Sequence, residues 1–148
     1  MRLISIVRRK LARSWASNSP VSRFFVTVRF PGAMPARAAF ALGRLMVAPS
    51  RAESLPYIIL ETAAAAVPLI TTRVGGIPEV FGPQSDRLVS PGDAGALAAA
   101  IRAALDEPAR LRNEALTLQA RVKTEFSADV MTEGVLAAYA EALQARRS

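Results

Sequence analysis

The stretch that decides the fold runs from residue 45 to residue 72, LMVAPSRAESLPYIILETAAAAVPLITT. It opens with Leu45–Ala48, a short apolar run stopped by Pro49, and closes on Pro68–Thr72, which is rich in β-branched side chains. Short apolar runs bounded by breakers read as strands buried on both faces, the kind found in parallel sheets. Between them, Tyr57–Ala66 is helical by composition, with Pro56 suited to a first helical turn. Strand, helix and strand in this order make the crossover unit of a parallel sheet.

The same alternation extends outward. Upstream, Phe25–Phe30 (FVTVRF) reads as a strand closed by the turn pair Pro31-Gly32, and Pro35–Gly43 as a short Ala-rich helix with a glycine near its end. Downstream, Gly75-Gly76 marks a tight turn before a short helix, Pro78–Phe81, and Arg87–Val89 reads as a weak strand. Asp93 is placed to cap a helix carrying Leu97, Ile101 and Leu105. Asp106-Glu107-Pro108 ends that helix and starts another reaching about Glu125. Ser127 is placed to cap a last helix striped by Met131, Val135, Tyr139 and Leu143. The expected class is α/β, a Rossmann-like parallel sheet with flanking helices and a helical C-terminus. Fold class alone does not give function.

Composition narrows the chemistry. The 148 residues suit one domain with a proper core. There is no Cys, hence no disulfide, thiolate metal site or Cys nucleophile, and no His, hence no Ser-His-Asp triad or imidazole zinc site. No GxGxxG fingerprint or P-loop pattern occurs. Charge is uneven. Residues 1–52 hold ten of the 19 basic residues and none of the 12 acids, so a +10 segment precedes a −3 remainder.

That basic start suggests a polyanionic partner. Read as a helix, Leu3, Ile4, Val7, Leu11 and Trp15 form an apolar stripe opposite Arg2, Arg9 and Arg13, a pattern that can lie on an anionic membrane or simply rest on the domain. Its apolar piece is too short for a secretory signal, and no stretch approaches the roughly 20 apolar residues of a spanning helix. The expected location is cytoplasmic, with peripheral contact at the inner face of the membrane. Nucleic acid is the weaker partner, because no aromatic-interleaved basic stripe or helix-turn-helix pattern accompanies the charge.

Two segments can carry ligand chemistry. Pro49-Ser-Arg-Ala-Glu-Ser-Leu-Pro-Tyr-Ile-Ile-Leu-Glu61 follows a strand and runs into a helix, which is where open α/β sheets bind ligands. The helix start directs free N–H groups and the positive dipole end to the crevice, favourable for a diphosphate. Glu53 and Glu61 are placed to accept hydrogen bonds from the hydroxyls of a sugar and a ribose. On the residues alone the plainer reading, a helix-start acid and a solvated acid, leads, because acids are common at helix starts. Thr71-Thr-Arg-Val-Gly-Gly-Ile-Pro-Glu79 also follows a strand and opens a helix. Its Gly75-Gly76 pair either lets backbone approach a ligand or makes a tight turn.

Together these residues resemble the C-terminal, donor-binding half of the family-4 retaining glycosyltransferases of the GT-B fold. Four pieces carry the resemblance in the family's order, from about Val26 to Leu143: Phe30-Pro-Gly; Pro49-Ser-Arg-Ala-Glu53 with Glu61 eight positions on; Val67-Pro-Leu-Ile with Val74-Gly-Gly-Ile-Pro-Glu79; and Leu88-Val-Ser-Pro-Gly-Asp93 before an Ala/Leu-rich helix. The resemblance implies a partial second GT-B domain over residues 25–148, with residues 1–24 as a basic segment outside it. It implies glycosyl transfer with retention from a nucleotide-diphosphate sugar to a glycan or lipid-linked acceptor, without a metal or other cofactor. Glu53, the catalytic candidate, would hydrogen-bond the transferred sugar. Glu61 would bind the ribose, and the backbone at Ser54, Leu55, Pro56 and Tyr57 would face the diphosphate, with Gly75 and Gly76 also on the donor. The family often has Gly-Phe-Gly where this chain has Ser-Leu-Pro, and Pro56 has no N–H. The family's phosphate-neutralising Arg/Lys pair and its acceptor-side domain have no counterpart here. The expectation is therefore the donor side of an enzyme that is truncated or split, with the last helix awaiting a missing N-terminal domain or a second copy.

Overall fold

The computed structural model describes residues 5–7, 27–29 and 32–146. The chain divides into two compact units, residues 1–44 and 45–148.

In the first unit, β1 (Ser5–Val7) pairs antiparallel with β2 (Thr27–Arg29), in the register Ser5↔Arg29, Ile6↔Val28 and Val7↔Thr27. This corrects two expectations. Residues 5–7 are strand where an amphipathic helix was expected, and β2 joins an antiparallel pair, not the parallel sheet. Ile6, Val7, Thr27 and Val28 are β-branched, and such residues favour an extended backbone once a partner strand is at hand. Leu3, Ile4, Leu11, Trp15 and the arginines of the expected helix lie outside the described residues. Helix α1 (Ala36–Phe40) starts after Pro35, whose carbonyl accepts from the Ala38 and Ala39 N–H groups.

The second unit is the crossover unit expected from residues 45–72. β3 (Met46–Ala48) runs parallel to β4 (Leu69–Thr71), joined by helix α2 (Tyr57–Ala64). Helix α3 (Ile77–Phe81) and a 3₁₀ turn (Gly82–Arg87) follow, then α4 (Ala94–Asp106), α5 (Pro108–Glu125) and α6 (Ala128–Ala145). The expected strand at Arg87–Val89 shrinks to one parallel bridge, Thr72↔Val89. The 3₁₀ turn occupies the chain up to Arg87 and Pro91-Gly92 turns it again, so little remains to pair.

Successive strand residues face opposite sides of a sheet, and both faces are covered here. Leu69 joins Ala48, Ile59, Ala63, Ile77, Val80, Phe81, Leu118 and Val122 in a core that gathers α2, α3 and α5. Ile70 and Val89 face the other way, against Ala104, Leu97 and Ile101 of α4. The arrangement is three-layered, helices on both sides of a small parallel sheet, as the α/β expectation required. Leu105 is the exception in the α4 stripe and is exposed. At 100° per residue it sits about 80° around from Leu97, whereas Ala104 returns to within about 20°. Ala104 is accordingly buried in its place.

The expected caps are present. The Asp93 carboxylate accepts from the Ala96 N–H at 2.8 Å, and Ser127 Oγ from the Val130 N–H at 3.2 Å. None of the residues of α6 is buried, and Met131, Val135, Leu136, Tyr139 and Leu143 are all exposed.

Candidate functional site

The candidate site lies where β3 and β4 end, because parallel strands deliver both following loops to the same edge of the sheet. Residues 49–56 connect β3 to α2, and residues 72–76 connect β4 to α3. The ladder of β3 stops at Ala48, the residue before Pro49. Side chains from β4 and the residue after it continue the cross-linking. Thr71 Oγ1 donates to the Ala48 carbonyl at 2.9 Å, and Thr72 Oγ1 donates to the Ser50 carbonyl at 2.6 Å. Both threonines are buried, so their hydroxyls need such acceptors. Further along, the Gly76 N–H donates to the Ser54 carbonyl at 2.6 Å.

Gly75 fits this junction because it has no side chain. Its φ is +51°, and a Cβ there would come within 1.9 Å of the Glu53 carbonyl oxygen and 2.4 Å of that of Ser54. A Cβ on Gly76 would lie 3.2 Å from Leu55 Cδ1. The structure therefore brings Glu53, Ser54, Leu55, Gly75 and Gly76 into one patch, and both glycines face the first loop. The carboxylate of Glu53 is exposed and accepts a hydrogen bond from Ser50 Oγ at 3.0 Å.

Pro56 precedes α2 in an extended conformation, and no side chain caps the helix. The first-turn N–H groups of a helix have no intrahelical acceptor, and the Ile59 N–H closes on the Pro56 carbonyl at 2.9 Å. The remaining free donors of that turn lie beside the loop that carries Glu53. Tyr57, 80% exposed, and Glu61, also exposed, are four residues apart and so share the outer face of α2. Neither side chain is hydrogen-bonded to the loops among the described residues. The arrangement offers two carboxylates, uncapped backbone donors and an exposed aromatic ring. These groups suit a ligand that combines hydroxyls with an anionic linker.

Two residues in the patch were not singled out from sequence: Ser50 and Thr72. A polar pair at the end of a strand otherwise buried on both faces was the available signal, since a buried hydroxyl implies an acceptor nearby. Arg73, the next residue, is exposed. Its guanidinium donates to the Ser85 carbonyl, and its N–H to the Val89 carbonyl at 2.8 Å. Among the described residues, no helix is long and apolar enough to cross a membrane.

Known proteins with the same pattern are glycosyltransferases. Residues 11–107 match the family described as "Glycosyl transferases group 1", a match that begins inside the acid-free segment. The glycogen synthase of Mycobacterium tuberculosis is 33% identical over 102 residues, covering 68% of this chain and 25% of that protein. The MMP alpha-(1->4)-mannosyltransferase of Mycolicibacterium hassiacum is 31% identical over 108 residues, covering 72% of this chain and 26% of that protein. Among solved structures, the sucrose-phosphate synthase of Thermosynechococcus elongatus superposes with a TM-score of 0.62 at 28% identity, covering 72% of this chain and 27% of that one. The chain thus matches about a quarter of the length of these relatives. With an α/β sheet covered on both faces, two signature loops joined at its carboxyl edge and this set of relatives, the chain belongs to the glycosyl transferases group 1 family and corresponds to the C-terminal half of a GT-B glycosyltransferase.

Proposed function

We propose that this chain is the donor side of a retaining family-4 glycosyltransferase, holding a nucleotide-diphosphate sugar whose glycosyl group passes to a glycan or lipid-linked acceptor. The observation that carries the reading is the junction of the two loops, where the Gly76 N–H meets the Ser54 carbonyl at 2.6 Å. It puts Glu53 beside the start of α2 at the carboxyl edge of the sheet, where a helix dipole and free N–H groups favour a diphosphate. In this reading Glu53 accepts hydrogen bonds from the transferred sugar, and Glu61 from the ribose hydroxyls. The backbone from Ser54 to Tyr57 faces the diphosphate, and Gly75 and Gly76 keep the second loop within reach of the donor. Donor binding needs no metal ion, so EDTA leaves it unchanged.

The acceptor side and the phosphate-neutralising cations come from a further domain, in the same protein or in a partner chain. The exposed apolar face of α6 supports that requirement. Cytoplasmic location with peripheral contact at the inner membrane face belongs to the same reading. It is supported by the ten basic and no acidic residues of 1–52, and co-sedimentation with anionic vesicles tests it.

Calorimetric titration with nucleotide sugars tests the site. Weak binding is expected, reduced several-fold by Glu61→Ala. Tight binding indifferent to both Glu53→Ala and Glu61→Ala refutes the assignment.

A further inference from the structure

We propose that Thr72 is a positioning residue for the carboxylate of Glu53, acting through Ser50; the proposal rests on the donor-site reading above. Thr72 is 3% exposed, and its Oγ1 donates to the Ser50 carbonyl at 2.6 Å. Ser50 Oγ in turn donates to Glu53 Oε1 at 3.0 Å. The relay therefore runs from a buried hydroxyl at the end of one strand, through the backbone of the neighbouring loop, to an exposed carboxylate.

The relay takes over where the strand ladder stops. The last ladder pair is Ala48↔Thr71, two residues before Ser50, so backbone pairing with β4 does not reach Ser50. There the Thr71 and Thr72 hydroxyls bond the Ala48 and Ser50 carbonyls. A hydrogen bond between an exposed Ser and Glu on a free loop would orient nothing, since both ends could move. Here the donor's own carbonyl is bonded to Thr72, and the Glu53 carbonyl packs against Gly75 beside the hydrogen bond from the Gly76 N–H to the Ser54 carbonyl. Both the main chain and the side chain of Glu53 are thereby pre-oriented before a ligand arrives, which lowers the ordering cost of binding.

Only the part of the affinity that depends on the transferred sugar runs through this carboxylate. The full chain is titrated with UDP-glucose, ADP-glucose and GDP-mannose, each paired with its nucleoside diphosphate, and the sugar-dependent gain is compared among variants. Thr72→Val and Ser50→Ala are expected to cut that gain roughly threefold to tenfold, about one hydrogen bond, while nucleoside diphosphate binding holds. Thr72→Ser restores it, and the double variant loses no more than Ser50→Ala alone. In the ligand-free chain, the Glu53 carboxyl ¹³C resonance moves alike in Thr72→Val and Ser50→Ala and stays put in Thr72→Ser. Ser50→Ala, at a half-exposed position, carries the test should Thr72→Val not fold.

Equal loss of sugar nucleotide and nucleotide affinity in Thr72→Val overturns the proposal, because Thr72 then only supports the fold. A gain lost in Glu53→Gln but retained in Thr72→Val and Ser50→Ala overturns it and leaves the donor site standing. A chain that binds none of the three sugars, or a gain indifferent to Glu53→Gln, removes the donor-site reading and this proposal together.

Discussion

Replacing Gly75 by alanine perturbs the point where the two loops meet. A Cβ there would lie 1.9 Å from the Glu53 carbonyl oxygen, whereas real Cβ atoms essentially never come within 3.0 Å, so the loops must part by at least the 1.1 Å difference. The atoms in the way are backbone, so no rotamer change relieves the clash. The left-handed φ of +51° adds about 1–2 kcal/mol for any residue with a Cβ. Parting the loops stretches the 2.6 Å bond from the Gly76 N–H to the Ser54 carbonyl, worth about 1 kcal/mol. The expected destabilisation is therefore about 2–4 kcal/mol. Gly92 isolates the conformational part, since its φ is +81° and a Cβ there meets nothing within 4 Å. Gly92→Ala should cost only about 1–2 kcal/mol. Urea unfolding followed by circular dichroism measures both. Gly75→Ala should also abolish the sugar-dependent gain in donor affinity, whereas Gly92→Ala should preserve it. Equal loss of stability in the two variants would refute the argument that the second loop is pressed against the first.

Three further outcomes follow from the rest of the molecule. Gly134 lies inside α6 with open space around it, so Gly134→Ala should raise helicity and stability by about 0.5–1 kcal/mol, read from the circular dichroism signal and urea midpoint. Arg87 pairs with Glu114 between the 3₁₀ turn and α5, and burial lowers its pKa from the usual guanidinium value while the Glu114 charge opposes that shift. Glu114→Gln should cost about 1–3 kcal/mol in urea unfolding, because it leaves a half-buried cation short of its partner. The exposed stripe of Met131, Val135, Tyr139 and Leu143 should drive concentration-dependent self-association in sedimentation velocity, reversed by Val135→Asp with Tyr139→Ser; a monomer at all concentrations refutes the need for a cover.

The crossover unit was legible because its signals are local and agree with one another. Leu45–Ala48 and Pro68–Thr72 bracket a helix whose start is marked by Pro56, and the observed elements β3, α2 and β4 fall inside those bounds. Asp93 and Ser127 were legible as caps because a capping side chain acts on N–H groups only three residues away. What sequence pattern did not disclose is non-local. The pairing of Ser5–Val7 with Thr27–Arg29 joins segments about twenty residues apart, and a β-branched stretch can equally sit on an amphipathic helix until its partner strand is known. Leu105 escaped the core by drift of the helical period, which a count of every fourth residue conceals. Glu53, Glu61 and the glycine pair enter the candidate site through motif spacing, whereas Ser50 and Thr72 enter it only through the structure. Their roles exist only across the sheet edge, 22 positions apart in the chain.

The spacing between the two signature loops is itself a consequence of the fold. Ala48 stands opposite Thr71 in the parallel register, and Thr71 Oγ1 reaches the Ala48 carbonyl across a separation of 23 positions. That number is the length of one complete crossover: the first loop, the eight residues of α2, the turn from Ala65 to Pro68, and the return strand. Lengthening any of these would move Gly75 along the edge relative to Glu53 and separate a glycine from the backbone that leaves no room for its Cβ. The core allows no such slack, because Ile59 and Ala63 of α2 are already fixed against Leu69 of β4 and Val122 of α5. A motif scattered over thirty residues of sequence is thus a single object in space, and the packing of α2 sets its interval. A residue inserted after Ala65 should then disconnect the loops while leaving every signature residue unchanged. Loss of the sugar-dependent affinity gain in that variant, with α-helical content retained, is the expected result; an unchanged gain would mean that the two loops bind the donor independently of their junction.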